Sequence, residues 1–106
     1  MPHWRYIACR AASERPIERR AVQTTLTQAA RAAGVPEDRL PQVTRIDGEH
    51  FIVKVRHMDL AGARAWLPAI RVVRLKGIDV PVQIETLSSS GTIKTLTDRL
   101  GILRTR

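Results

Sequence analysis

Three histidines (His3, His50 and His57), a lone cysteine (Cys9) and the closely spaced acids Asp47 and Glu49 are the first side chains to test for chemistry. A metal site needs several His, Cys or carboxylate ligands at matched spacing, and these residues do not supply them. His50 and His57 flank one candidate strand and lie too far apart to share a helix face. Cys9 alternates with Arg5 and Ile7, an ordinary strand position rather than a thiol paired with a histidine. Asp47 and Glu49 straddle a glycine, which reads as a hairpin turn more simply than as an acid pair. No glycine-rich phosphate loop is present. The sequence therefore predicts neither catalytic residues nor metal ligands in this chain.

What remains is cationic chemistry. Lys and Arg number 18, of which 15 are Arg, against 10 acids, for a formal net charge of +8 on 106 residues. Residues 1–20 carry +3, 21–36 carry +1, 37–59 carry −1 and 60–106 carry +5. Two basic regions flanking a near-neutral middle describe a footprint for a polyanion rather than a uniform coat. The candidate contacts are Arg5 and Arg10, the group Arg15, Arg19 and Arg20, and the group Arg71, Arg74 and Lys76. The planar guanidinium fork suits bidentate phosphate contacts. A solvated charge face is the plainer account of any single arginine. Nucleotide bias in an Ala/Arg-rich gene explains a preference for Arg over Lys, but not the net excess. Only four aromatics occur, Trp4, Tyr6, Phe51 and Trp66, so base stacking is not the expected mode of recognition.

A further candidate is the stretch Ser88-Ser89-Ser90-Gly91-Thr92-Ile93-Lys94. Hydroxyl residues and glycine at a predicted strand-to-helix junction expose backbone N–H groups to an anion, with Ser90, Gly91, Thr92 and Lys94 as its contacts. Lys94 near a helix start opposes the dipole by about 0.3–1 kcal/mol, and a bound phosphate reverses that sign. The same residues also read as a helix cap followed by a solvated lysine.

These residues need a scaffold, and the length suits one domain spanning residues 1–106. Residues 3–10 alternate as a first strand, with Trp4, Tyr6 and Ala8 on one face and Arg5, Ile7 and Cys9 on the other. Ser13 is a plausible N-cap, with Glu14 in the first turn and Pro16 tolerated near the start. Ile17, Ala21, Val22, Leu26, Ala29, Ala30 and Ala33 then recur at helical spacing up to Gly34 and Pro36. Residues 43–46 and 50–56 form a hairpin across Asp47-Gly48. Asp59 caps a second helix that buries Leu60, Ala63, Leu67 and Ile70 and kinks or ends near Pro68. Residues 72–75, the turn Lys76-Gly77 and residues 79–87 follow, and Pro81 favours an edge strand. Ile93, Leu96, Leu100 and Leu103 mark a terminal helix. The order β-α-β-β-α-β, with an extra strand and a last helix, predicts a ferredoxin-like α+β sandwich of the kind RNA-recognition-motif proteins share. The single cysteine excludes an intrachain disulfide and fits a reducing compartment. With no apolar h-region and no apolar run near 20 residues, the expectation is a cytoplasmic protein without a membrane partner.

Two segments resemble the archaeal ribonuclease P protein component 2 family, which has a counterpart in eukaryotic ribonuclease P and MRP. Trp4-Arg5-Tyr6-Ile7-Ala8 resembles the family's opening strand. Ser90-Gly91-Thr92-Ile93-Lys94, after a strand ending Ile84-Glu85-Thr86-Leu87, resembles its C-terminal motif, and Leu75-Lys76-Gly77 its preceding turn. The chain departs from the family in its short basic arm and in Pro68. The resemblance implies a subunit of the ribonucleoprotein endonuclease that removes 5′ leaders from precursor tRNA. It further implies that the RNA subunit performs the hydrolysis with Mg2+ while the protein binds no cofactor. The implied partners are ribonuclease P RNA, protein component 3 in a two-plus-two assembly around a homodimer of this chain, and precursor tRNA indirectly. A protein-interaction module of an RNA-processing complex with marginal RNA contact is the alternative, and residues 37–59 are its expected protein-facing segment. A small ferredoxin-like enzyme is the weakest reading, for want of acid, base or nucleophile clusters.

Overall fold

The computed structural model describes residues 3–91. Its central strand is Trp4–Ser13 (β1), paired along its length by His50–Arg56 (β3) on one side and Ile78–Ser90 (β5) on the other. Gln42–Asp47 (β2) extends the sheet beyond β3, and Val72–Leu75 (β4) extends it beyond β5. All pairs are antiparallel, in the order β2-β3-β1-β5-β4. Without β4 this is the ferredoxin-like arrangement, and β4 is the extra strand, added as a hairpin with β5. Helices Arg19–Ala32 (α1) and Leu60–Trp66 (α2) connect β1 to β2 and β3 to β4.

Alternation along β1 decides what each face does. Ile7, Cys9 and Ala11 join Phe51, Val53 and Val55 of β3, and Val82 and Ile84 of β5, in one core with Val22, Leu26, Ala63 and Leu67 of the helices. Trp4, Tyr6, Ala8 and Arg10 point to the opposite face, across from Arg56, Lys54, Ile52 and His50 respectively. Burial pushes the Cys9 thiol up to about 12, which keeps it unreactive at neutral pH.

Several boundaries differ from the sequence expectation, each for a local reason. Ser13 is not a helix cap. β1 runs on through Ser13 because Ala11–Ser13 still pair with Ile84–Val82 of β5, and the Ser13 hydroxyl bonds to the Arg15 carbonyl. α1 begins after Glu18 with no side-chain cap and no acid in its first turn. Its C-terminus is as expected: Gly34 at φ 90° follows Ala33, with Val35 N–H bonding to Ala30 O and Gly34 N–H to Arg31 O, a Schellman ending. In the first hairpin, Asp47 pairs with His50, so the turn residues are Gly48-Glu49 rather than Asp47-Gly48. Only Gly48 has positive φ there, the pattern of a type II′ turn. Asp59 does not cap α2 through its side chain, because its carboxylate grips Arg39 with two contacts of 3.1 and 3.3 Å. α2 ends at Trp66, ahead of Pro68. Lys76 (φ 50°) and Gly77 (φ 81°) both take the left-handed conformation that a type I′ turn requires.

Pro81 does not mark an edge strand, since β5 lies inside the sheet. The proline pairs with Val72 of β4 at a level β1 has not yet reached, so its missing N–H is on a side with no partner strand. The edge strands are β2 and β4, and at β2 α1 supplies the missing bonds. Gln23 accepts from Val43 N–H at 2.7 Å and donates to Pro41 O at 2.9 Å, and Arg19 donates to Val43 O at 2.8 Å.

Candidate nucleic-acid interface

β5 carries the serine triplet further than the sequence suggests. Ser88, Ser89 and Ser90 are strand residues paired with Ala8, Ile7 and Tyr6, not a junction with free N–H groups. Between Thr86 and Ser88 the register shifts, leaving Leu87 as an extra residue in a β-bulge. Thr92, Lys94 and the predicted terminal helix lie outside the described residues.

Around the end of β5 the structure gathers side chains from four elements. Arg64 of α2 donates to the Ser89 hydroxyl at 3.3 Å. Arg5 of β1 lies against Gly91, where a Cβ would sit 3.4 Å from Arg5 Nη1, and it also donates to the Trp4 carbonyl. On the other face, Lys54 Nζ lies 4.3 Å from the Trp4 ring centroid and Arg56 Cζ 4.5 Å from it. Both cations are thus held in place by one aromatic ring. His3 and His57 meet edge to face beside them, 5.7 Å apart. The Arg56 Nε is buried with no hydrogen-bond partner among the described residues.

Carboxylates compensate only some of the cations. Arg10 pairs with Glu49 at 3.1 Å, Arg31 with Glu37 at 2.7 Å, Arg39 with Asp59 at 3.1 Å and Arg74 with Asp79 at 3.8 Å. The Arg31 hydrogen bond holds the Glu37 carboxyl below its usual range. Among the described residues, Arg5, Lys54, Arg56 and Arg64 have no carboxylate partner, nor do Arg15, Arg19, Arg20, Arg71 and Lys76; the first four share one end of the sheet, Arg5 and Arg64 on the helix side and Lys54 and Arg56 on the open face. Bringing like charges together costs free energy that a bound polyanion reverses, so an uncompensated cluster marks a phosphate-binding surface better than the total charge does.

The candidates named from sequence divide accordingly. Arg5, Ser90 and Gly91 belong to this cluster. Arg10 and Arg15 lie toward the far end of β1, Arg10 about 17 Å from Arg5 at strand rise, and Arg74 and Lys76 lie at the β4–β5 turn, about 35 Å from Ser90 along β5. Arg19 is tied to the β2 edge, Arg20 is exposed on α1, and Arg71 precedes β4, where its carbonyl accepts from Val82 N–H. Lys54, Arg56 and Arg64 were not singled out from sequence. Alternation with Val53 and Val55 puts the first two on the open face, which is a readable signal; nothing local ties Arg64 to a serine 25 residues on. Among the described residues no group of three or more His, Cys, Asp or Glu is placed to hold a metal ion. The apolar cleft at the far end, walled by Ile17, Val22, Ile46 and Phe51, is rimmed by charges of both signs, Glu14, Glu18 and Glu49 with Arg15 and Arg19.

No family model matches the sequence, and no curated protein does either. Among solved structures, the fold is similar to a chain in the cryo-EM structure of yeast ribonuclease MRP, with a TM-score of 0.67 over 95% of this chain and 93% of that one. At 12% identity the likeness establishes a shared fold over nearly the full length of both chains.

Proposed function

We propose that this chain is an RNA-binding subunit of a ribonuclease P/MRP-like ribonucleoprotein, of the component 2 type. Its role is to hold RNA phosphates and so stabilise the fold of a catalytic RNA. The observation that carries this reading is two pairs of uncompensated cations at one end of the sheet, Arg5 with Arg64 beside the end of β5 on the helix side and Lys54 with Arg56 against Trp4 on the open face, on a fold shared with a chain of ribonuclease MRP. Phosphate oxygens accept from the guanidinium forks of Arg5 and Arg64, while Trp4 keeps Lys54 and Arg56 oriented toward the backbone. Thr92 and Lys94 are further phosphate contacts in this reading, and Arg15, Arg20, Arg71 and Lys76 contribute long-range attraction rather than a shared site.

In this reading the reaction is removal of the 5′ leader of precursor tRNA. The RNA subunit and its Mg2+ carry the hydrolysis, and the chain itself contributes no catalytic residue. Protein component 3 is the partner in a two-plus-two assembly built on a dimer of this chain, working in the cytoplasm. The test is reconstitution of precursor-tRNA cleavage from ribonuclease P RNA and component 3, with and without this chain. A rise in cleavage that Arg5→Gln with Arg64→Gln abolishes supports the proposal. Cleavage unchanged by adding the chain refutes it. Loss of assembly with component 3 and unaltered RNA binding, in charge reversals at Lys94 and Arg99, instead identifies a protein-interaction module.

A further inference from the structure

The two edges of the sheet are finished differently. At β2 the register shifts after Val43, and Gln23 and Arg19 of α1 bond the outward backbone groups of that residue. β4 has neither device. Its register with β5 is unbroken, it contains no proline, and no described side chain bonds its outer edge. The type I′ turn at Lys76-Gly77 closes on the pair Leu75–Ile78, and further along Val82 N–H bonds to Arg71 O. Bonded pairs alternate, so Arg71, Val73 and Leu75 turn their backbone groups toward β5. Val72 and Arg74 therefore turn N–H and C=O outward. Between α1 and the start of β4 lies a shallow groove of about 630 Å³, walled by Ala29, Ala33, Trp66 and Ile70. Among the described residues that line it, Arg71 alone is charged. Val72 is 45% exposed, and Arg74 meets Asp79 only at 3.8 Å with both side chains largely in water. Arg71 and Lys76, at the two ends of the strand, have no carboxylate partner among the described residues.

We propose that the outer edge of β4 binds an extended segment of a partner protein in which acidic and apolar residues alternate. The segment adds a strand to the sheet, with main-chain bonds to Val72 and Arg74. Residues across from one another in a ladder share a face, so the partner residue opposite Arg74 lies on the open face and is Asp or Glu. Its neighbours in the segment fall on the helix side, where the groove takes an aliphatic side chain. An edge that offers donors and acceptors in turn suits a peptide backbone. A phosphate accepts from N–H but is repelled by the C=O beside it. A second copy of this chain is disfavoured, because pairing β4 with β4 brings Arg71, Arg74 and Lys76 of both copies together. The surface lies at the opposite end of β5 from the Arg5–Arg64 pair, so the inference goes beyond the RNA reading and stands without it.

The test is titration of the isotope-labelled full chain with the peptide Glu-Val-Glu-Val-Glu-Val-Glu, read by amide chemical shifts and hydrogen exchange. The expected result is that the Val72 and Arg74 amides shift and gain protection while those of β2 do not. Lysine in place of glutamate in the peptide should abolish the effect. Arg74→Glu should weaken binding of the acidic peptide by about tenfold and admit the lysine peptide. Val72→Pro removes an outward N–H, so it should fold and lose docking; Arg74→Glu, at an exposed position, carries the test if the proline variant does not fold. No shift at Val72 and Arg74 with the acidic peptide, or equal binding of both peptides by the wild-type chain, overturns the proposal. Protection of these amides in the chain alone at rising concentration overturns it in favour of a second copy. Shifts there with ribonuclease P RNA but not with the peptide overturn it in favour of RNA.

Discussion

Replacing Arg5 and Arg64 together with glutamine tests whether position, rather than total charge, governs RNA binding. Glutamine keeps much of each stem and removes only the cation, so packing against Gly91 and Ser89 is little disturbed. A hydrogen bond to a charged group contributes about 1.5–3 kcal/mol when well shielded. Arg5 is half-buried and Arg64 exposed, so the lower end applies: about 1–1.5 kcal/mol each, or roughly 30- to 150-fold in affinity for the pair at low salt. Each phosphate contact to duplex-like RNA contributes about 0.9 to the slope of log affinity against log salt, so the double variant should lower that slope by about 2. The matched control is Arg10→Gln with Arg74→Gln. It removes the same formal charge, but from residues paired with Glu49 and Asp79 toward the far end of the sheet. Fluorescence anisotropy with ribonuclease P RNA across a salt titration reads both quantities. Equal losses from the two double variants, or an unchanged slope in the first, refute the argument from uncompensated charge.

Four further expectations concern the scaffold. Gln23→Ala removes two of the three bonds that α1 gives the β2 edge and should cost about 2 kcal/mol, roughly 10 °C in Tm for a domain of this size, by thermal unfolding. Lys76→Asn suits the left-handed turn position better than lysine and should raise stability by about 0.5 kcal/mol in denaturant titration, with RNA affinity falling less than in the Arg5/Arg64 variant. Gly91→Ala places its Cβ 3.4 Å from the flexible end of Arg5, at ordinary contact, and should change stability by less than about 0.5 kcal/mol in the same assay. Cys9 stays protonated in the folded chain up to about pH 12 and loses its proton near 9 when unfolded. Its contribution is therefore intact below pH 9 and lost as pH rises toward 12, by at most about 1.4 kcal/mol per pH unit. Urea unfolding of Cys9→Ala against wild type between pH 9 and 11 should show the shallower slope in the variant.

The elements legible in the sequence are those whose cause is local. Alternation along β1 assigns Ile7 and Cys9 to one face and Trp4 and Tyr6 to the other, and Gly34 ends α1 because the left-handed ending needs it. Pro68 limits α2 for the same kind of reason. What the sequence misplaces depends on partners distant in the chain. Ser13 resembles a helix cap until β5 pairs with it, Asp59 resembles one until Arg39 takes its carboxylate, and Ser88–Ser90 resemble a loop until β1 pairs with them. The candidate site follows this division. Arg5 and the Ser-Gly pair are visible as motif residues, whereas Arg64 acquires its place only when α2 packs against the sheet.

The bulge at Leu87 joins these two kinds of information. With unbroken register from Thr86, Ser88 would lie across from Ile7 and Ser90 across from Arg5. Gly91 would then fall level with Trp4, at the end of β1. The extra residue moves each pairing by one, so Ser89 takes the helix-side place across from Ile7, within reach of Arg64, and Gly91 arrives beside Arg5. At position 91 a Cβ would stand 3.4 Å from the Arg5 guanidinium, at ordinary contact distance, and in unbroken register Ser88 would take the helix-side place that Ser89 holds. The bulge therefore decides which serine of the triplet Arg64 meets and sets Gly91, rather than Ser90, level with Arg5 at the end of β5.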